Sequence, residues 1–491
     1  MASLKKVLFL SVLSRIFLIL YTILCGIVNT DYDTSGHKGS IISSLIRWDS
    51  IWFLGISESG YQHEQAFAFF PGYPIFVKIM SSFTHLSIPL CSVIISNTSF
   101  VLSSLVLYEL GKITLHDEKK AYRSFLLFLI TPSNIFMSSF YTESIFSFFT
   151  FTGCYLIQNF QFVGKNRIRS ICKLILSIVF FTLSSTIRSN GTINSGFIIY
   201  SLFLALKNWI LSQRNHHQQQ EKKKTEKSKN NRSQEKKKTT QNKNKNKKKN
   251  KKENQERKKK QQEKPKQNQK EIENENAKLK GKITFFSLLI IVSKVILVSL
   301  IIVISLVLIF SPNVYFQYKA YLKFCKGSTI KQTPEWCLLK IPSIYNYIQL
   351  KYWNVGFLNY WTPLQIPNFL LAAPMIFCIL VALIRYIKND YKRFLTLGIA
   401  KSGRSKIGFF SNDTFVYIFH LMFLGFVGLF FMHIQVITRF VTSSSPVIFW
   451  FLEDYLSDQK VHKFKKAILL FWFVLYTFIG PLLFSNFYPW T

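Results

Sequence analysis

Apolar runs of about twenty residues, divided by short polar links, recur along most of the chain. The first, Val7 to Val28, follows Lys5 and Lys6 and is long enough to cross a bilayer. It lacks a small-residue cleavage site, so it reads as a retained helix rather than a removed signal peptide. Further runs occupy 87–110, 122–140, 143–161, 171–187, 192–211, 283–310, 368–387, 415–434, 440–456 and 467–485. The pattern predicts an all-α polytopic membrane protein with about 11 transmembrane helices. Three polar segments interrupt it: 29–86, 213–282 and 311–367. They divide the chain into an N-terminal membrane half, 1–212, an insert, 213–282, and a C-terminal membrane half, 283–491.

The 29–86 segment is more than a connector. Within it, RWDSIWFLGISESGY (47–61) places Trp48, Ile51, Trp52 and Gly55 on one stripe at helical spacing. That predicts a helix lying flat in the membrane interface and holding Asp49 where lipid meets water.

Composition fits this reading. Hydrophobic residues make up 49% and aromatic residues 16% of the 491 positions, with 49 Phe, ordinary for a membrane protein and odd for a soluble one. The net charge of +38 suggests nucleic acid until it is located. Residues 214–282 hold 27 Lys and Arg against nine Glu, which accounts for 18 of the 38. A tract with so little apolar surface cannot bury a core, and disorder is expected over 213–282. Basic tracts also bind anionic lipid headgroups, but no nucleic-acid partner is expected. The other loop cations concentrate in 111–121, 162–170, 388–414 and 457–466. Positive loops stay cytosolic, so the N-terminus is expected in the cytosol and the 29–86 and 311–367 loops on the outer side.

Polar groups forced against the bilayer mark chemistry, and the candidates all fall on that outer side. They are the carboxylates Asp49 and Glu143, the cations Arg188, Lys351 and Arg439, and the neutral Asn190, Asn354, His433 and Gln435. Each also has a plainer reading: Arg439 snorkelling, Glu143 capping its helix, Asn190-Gly191 forming a turn. Cys325 and Cys337 share the outer loop and are candidates for a disulfide in an oxidising compartment. No CxxC or HExxH pattern occurs, and no metal site is indicated. The sequons at Asn97, Asn190, Asn231 and Asn412 lie inside a span, beside the bilayer or on the cytosolic side, so none is expected to be glycosylated.

Several blocks together resemble a known family. RWDSIWFLGISESGY with FFPGYP (69–74), TPSNIFMSSFYTES (131–144), TIRSNG (186–191), KYWNVGFLNYW (351–361) with QIPNFLLAAP (365–374), and HIQVITRFVTSSSP (433–446) are similar to the GPI mannosyltransferase 2 family. They run in the family's order from residue 47 to about 450; the 213–282 insert departs from the pattern. The resemblance implies a GT-C multi-helix bundle in the endoplasmic reticulum membrane, with the catalytic acid in the first luminal loop. It implies dolichyl-phosphate-mannose as donor, a lipid-linked GPI precursor as acceptor, and no cofactor or metal. A small membrane partner subunit is left open.

Under this resemblance Asp49 is expected to act as general base, oriented by Arg47 and Trp48 and desolvated by Phe53 and Ile56. Glu143 is the fallback base, and Glu58 and Glu64 are lesser alternatives. Arg439, Gln435 and Arg188 are expected to hold the donor phosphate, with Asn190 and Asn354 as further binding residues and His433 as a weaker one. Trp48, Trp52, Tyr61, Trp353 and Trp361 are candidates to stack on sugar faces. Two other readings stay open: a GT-C transferase with another sugar or acceptor, and a transporter. The lack of an internal repeat and the rim position of the ionisable residues count against transport.

Overall fold

The computed structural model describes residues 3–33, 41–162, 166–213, 219, 264–326, 333–400 and 407–488. These residues are predominantly helical, with no strand among them. Among the described residues, eight helices are long and apolar enough to cross a membrane: Leu4–Val28, Ile88–Leu115, Arg167–Ile187, Ser189–Gln213, Leu288–Phe324, Pro363–Asn389, Asn412–Phe430 and Lys463–Ser485. The protein is therefore an all-α, multi-pass membrane protein.

The count differs from about 11 because three expected spans are broken or short. The run 122–140 ends as helix Glu118–Leu129, two residues before Thr131-Pro132, since the residue before proline is driven out of the helical region. Residues 130–142 are turns. The 143–161 run yields only Glu143–Ile157. The 440–456 run splits at Ser445-Pro446 into Ile437–Ser444 and Val447–Ser457. Conversely, the span expected to stop at 310 continues to Phe324 with Pro312 inside it, so the following loop starts later than 311.

Of the basic insert, 214–218 and 220–263 lie outside the described residues. Residues 264–282, expected to be disordered, form the first turns of helix Lys264–Phe324. Extending an existing apolar helix needs no new nucleus, and Pro265 is tolerated in a first turn.

Residues Met1–Phe160, Ile168–Ser201 and Ile304–Thr491 form one compact unit, so segments from both membrane halves of the sequence join in it. A second unit comprises Gln161–Arg167 and Leu202–Val303; within it the Lys294 ammonium lies 5.8 Å from the Phe162 ring centroid.

The first unit has an apolar middle and two polar rims. One rim joins Tyr108 to Glu118, His116 to Asp413, Arg123 to Glu453 and Arg385 to Asp454 and Asp458. The other gathers the ends of the spans around Asp49, Glu143, Arg188 and Arg439. The Asp49–Ser59 helix lies on this second rim. It sinks Phe53 and Ile56 into the core and leaves Trp48 and Ile51 of the predicted stripe exposed, as an interfacial helix should.

Arg15 explains how the non-helical 130–142 segment is tolerated inside the bundle. It is 3% exposed and donates to Asn134 Oδ1 at 2.7 Å, Ser138 Oγ at 3.0 Å and the Leu129 carbonyl at 3.4 Å. Its guanidinium lies 3.5 Å from the Phe100 ring centroid. Backbone that leaves the helical pattern at this depth must find partners in the protein. Asn97 adds another, donating to the Ser138 carbonyl at 3.0 Å. Arg15→Leu leaves Asn134 Oδ1 without its donor, while the Leu129 carbonyl keeps Asn134 Nδ2 and the Ser138 hydroxyl keeps Asn97; a buried group left unpaired costs about 1–3 kcal/mol. The purified variant in detergent is expected to melt several degrees below the parent in a thermal-shift assay.

Candidate active site

The second rim surrounds a cavity of about 1090 Å³. Its polar wall carries Asp49, Glu143, Arg188, Asn190, Gln435 and Arg439; its apolar wall includes Phe423, Val427, Phe431 and Met432.

Asp49 is the first residue of its helix and follows Trp48, whose φ of 57° and ψ of −123° are unusual for any residue but glycine. Such a backbone costs about 1–3 kcal/mol. The Asp49 side chain is 41% exposed, with Oδ2 3.4 Å from Arg439 Nη2 and 3.5 Å from Nη1. Phe53 is buried and lines the cavity alongside Asp49, whereas Ile56 is buried and does not line it. Glu143 is its opposite. It is 2% exposed, and Oε1 lies 2.8 Å from Arg188 Nη1 and 3.9 Å from Arg439 Nε. The four residues form one array: Asp49, Arg439, Glu143, Arg188.

The array comes from four elements distant in sequence. Arg439 sits in the first turn of Ile437–Ser444, with its guanidinium 4.9 Å from the Phe136 ring centroid and 5.6 Å from that of Tyr141. Burial pulls its pKa down, but Asp49 and Glu143 outweigh this and hold it above the ordinary arginine value, so it stays charged. Arg188 has an extended backbone ahead of the short helix Ser189–Asn194. That turn depends on Gly191, where a Cβ would lie 2.5 Å from the Ser184 and Ser185 backbone.

Other candidates line the cavity. Asn190 Nδ2 donates to Ser444 Oγ at 3.1 Å. Gln435 Oε1 and Arg439 Nε are buried with no hydrogen-bond partner, leaving polar valence for a ligand. His433 bonds through Nε2 to the Trp353 carbonyl and stacks on Tyr360. Trp48 and Trp353 also reach the wall.

Some expected residues point elsewhere. Arg47, 4% exposed, turns away from Asp49: Nε donates to the Ser485 carbonyl at 2.9 Å, Nη2 lies 3.4 Å from Asp31, and the guanidinium covers Phe487. Burial, partly offset by Asp31, lowers its pKa. It ties the first loop to the end of the last span and does not line the cavity. Asn354 caps Ile344–Trp353 with a left-handed backbone, φ 51°, and does not line the cavity. Lys351 is engaged with Tyr347, Trp52 stacks on Phe69, Tyr61 donates to the Phe69 carbonyl, and Trp361 stacks on Phe430. Glu64 accepts from Trp336 Nε1 at 3.1 Å, and Glu58 is exposed off the cavity. Cys325 and Cys337 are joined in a disulfide, tying the end of Lys264–Phe324 to the Glu335–Leu338 turn.

The sequence reading missed Tyr141. It stands in the TPSNIFMSSFYTES block, but nothing in its spacing sets it apart from the aromatics around it. Its hydroxyl accepts from the Asp49 N–H at 3.0 Å and donates to the Arg47 carbonyl at 3.4 Å.

A multi-pass helical bundle with an acid and arginine array in a cavity at its polar rim has the layout of a membrane transferase working at the lipid surface. The chain belongs to the Mannosyltransferase (PIG-V) family, whose profile matches residues 4–222 and 277–491, on both sides of the core of the basic insert. It is a glycosyltransferase of the mannosyl-transferring kind. It is 26% identical over 455 residues to a Homo sapiens protein named GPI alpha-1,6-mannosyltransferase 2, covering 86% of this chain and 74% of that one. GPI mannosyltransferase 2 of Drosophila melanogaster is 24% identical, with 92% and 88% covered. That of Candida albicans is 25% identical, with 92% and 86% covered. Among solved structures, the archaeal oligosaccharyltransferase AglB from Archaeoglobus fulgidus aligns at a TM-score of 0.41 and 11% identity, over 97% of this chain and 56% of that one.

Removing one partner of a buried ion pair strands the other charge, at a cost of about 3–5 kcal/mol, whereas replacing both with apolar groups costs far less. Arg188→Met is therefore expected to lower the detergent melting temperature markedly, and Arg188→Met with Glu143→Leu to recover part of that loss.

Proposed function

We propose that this protein transfers the second mannose of the GPI anchor, in α-1,6 linkage, from dolichyl-phosphate-mannose to the mannosyl-glucosaminyl-phosphatidylinositol intermediate. The relatives named for that reaction support it, as do the matching blocks that surround the cavity. On this reading the chain is a GT-C enzyme of the endoplasmic reticulum. Its N-terminus is cytosolic and its cavity opens to the lumen.

The observation that carries the mechanism is the Asp49–Arg439 pair at the cavity wall, backed by buried Glu143. A β-linked donor and an α-linked product require inversion, so a base must take the proton from the acceptor's 6-hydroxyl opposite the leaving phosphate. Asp49 is the carboxylate exposed to the cavity and takes that role. Glu143, buried against both arginines, serves to hold them. The charge growing on the departing dolichyl phosphate meets Arg439, Asn190 and Arg188, with the Gln435 amide beside them on the cavity wall. On this reading the arginines supply the positive charge, without a metal or cofactor. Phosphate binding to Arg439 draws it from Asp49 and so leaves the base free for the acceptor. Phe423, Val427 and Phe431 give the lipid chains an apolar flank.

The test uses cells lacking the second GPI mannosyl transfer, with labelled mannose and lipid analysis. The wild-type chain is expected to convert the one-mannose precursor. Asp49→Asn, which keeps the shape but cannot accept a proton, is expected to leave that precursor accumulated. Normal GPI assembly with Asp49→Asn would sink the assignment. Arg439→Lys keeps charge but loses the planar fork, and its KM for the donor is expected to rise by about tenfold.

A further inference from the structure

The two peptide groups flanking the strained Trp48 share one partner. Tyr141 accepts from the Asp49 N–H on one side and donates to the Arg47 carbonyl on the other, so a single phenol closes the kink that aims Asp49. The same ring lies 5.6 Å from the Arg439 guanidinium and, with Phe136, forms the shelf beneath it. One side chain thus touches both halves of the Asp49–Arg439 pair.

Tyr141 is itself firmly mounted. Its ring packs edge-on against Phe53, Phe136 and Phe484. The Phe140 N–H donates to the Leu45 carbonyl at 3.2 Å, and Ser96 Oγ donates to the Ser139 carbonyl at 2.9 Å. Ser138 is gripped by Arg15 and Asn97. The non-helical 130–142 segment, costly inside a membrane bundle, thereby acquires a purpose: it delivers this phenol to a fixed point.

We propose that Tyr141 is a positioning residue of the transferase, its hydroxyl clamping the Trp48 kink to aim Asp49 and its ring supporting Arg439. Burial, then the charge of Asp49, raises its pKa well above the ordinary tyrosine value. The hydroxyl therefore stays protonated and able both to donate and to accept. A base out of line by about 1 Å costs up to a hundredfold in rate without weakening ground-state binding. The proposal rests on the reading of Asp49 as the base.

The experiment measures kcat and donor KM of purified enzyme in detergent, normalised to the folded fraction by size exclusion. Tyr141→Phe keeps the shelf and loses the clamp. Its kcat is expected to fall by about tenfold to a hundredfold, with KM for dolichyl-phosphate-mannose changed by less than about twofold. Tyr141→Leu loses both, and its donor KM is expected to rise as well. Wild-type kcat in Tyr141→Phe, or a raised KM at unchanged kcat, would overturn the proposal. Should Tyr141→Phe not be recovered folded, 4-aminophenylalanine at position 141 keeps a bridging group. Substantial activity then supports the clamp, and a kcat lowered about tenfold or more overturns it. Asp49→Asn in the same assay separates the two readings. Its activity would refute the base itself; its inactivity beside a fully active Tyr141→Phe would refute the clamp alone.

Discussion

A carboxylate 2% exposed within an apolar bundle, Glu143, is tolerable only if positive charge reaches it. Desolvating an ion costs several kcal/mol, and a well-placed partner must return most of that. Arg188 and Arg439 both reach its Oε1, and this requirement fixes where three distant elements meet. The turn after Arg167–Ile187 must bring Arg188 in, and Ile437–Ser444 must present Arg439. Once Arg439 is pinned, its remaining face meets Asp49 from the first loop. The array is structural and chemical at once: the charge that makes the bundle close is the charge a departing phosphate needs.

A strain argument runs beside the charge argument. Trp48 holds a backbone that most residues avoid, and strain of this kind persists only where the surroundings over-determine it. Arg47 anchors one side through Ser485 and Asp31. Tyr141 spans the kink, and helix Asp49–Ser59 anchors the other side through Phe53. Arg47 thus works as a fastener behind the site rather than as a contact within it. Its invisibility as such in the sequence is instructive: a cation beside a catalytic-looking acid invites pairing, yet adjacent residues at a helix start point in different directions.

Much of the architecture was legible because the hydrophobic effect writes it at the scale of whole spans. Val7–Val28 or 467–485 can do little else in a membrane protein. Asp49, Glu143, Arg188, Gln435 and Arg439 were legible for the converse reason, as polar residues placed where lipid should exclude them. The sequence did not disclose how turns can occupy bundle depth. The run 122–140 is apolar enough to read as a helix, and partners distant in the chain, Arg15 and Asn97 among them, make the non-helical path affordable. Asn354 was legible as polar but not as a left-handed cap. Tyr141 was hidden among many aromatics because its distinction lies in what its hydroxyl reaches. Which carboxylate is enclosed and which faces the cavity is likewise a matter of three-dimensional packing.

The central claim is that Asp49 faces the acceptor while Arg439 takes the donor's phosphate. The most direct measurement is an electron cryo-microscopy structure of Asp49→Asn enzyme with dolichyl-phosphate-mannose bound. The account predicts phosphate density within hydrogen-bonding distance of the Arg439 guanidinium, with the side chain at position 49 on the opposite side of the anomeric carbon. Phosphate seated away from Arg439, or residue 49 on the same side as the leaving group, would contradict it.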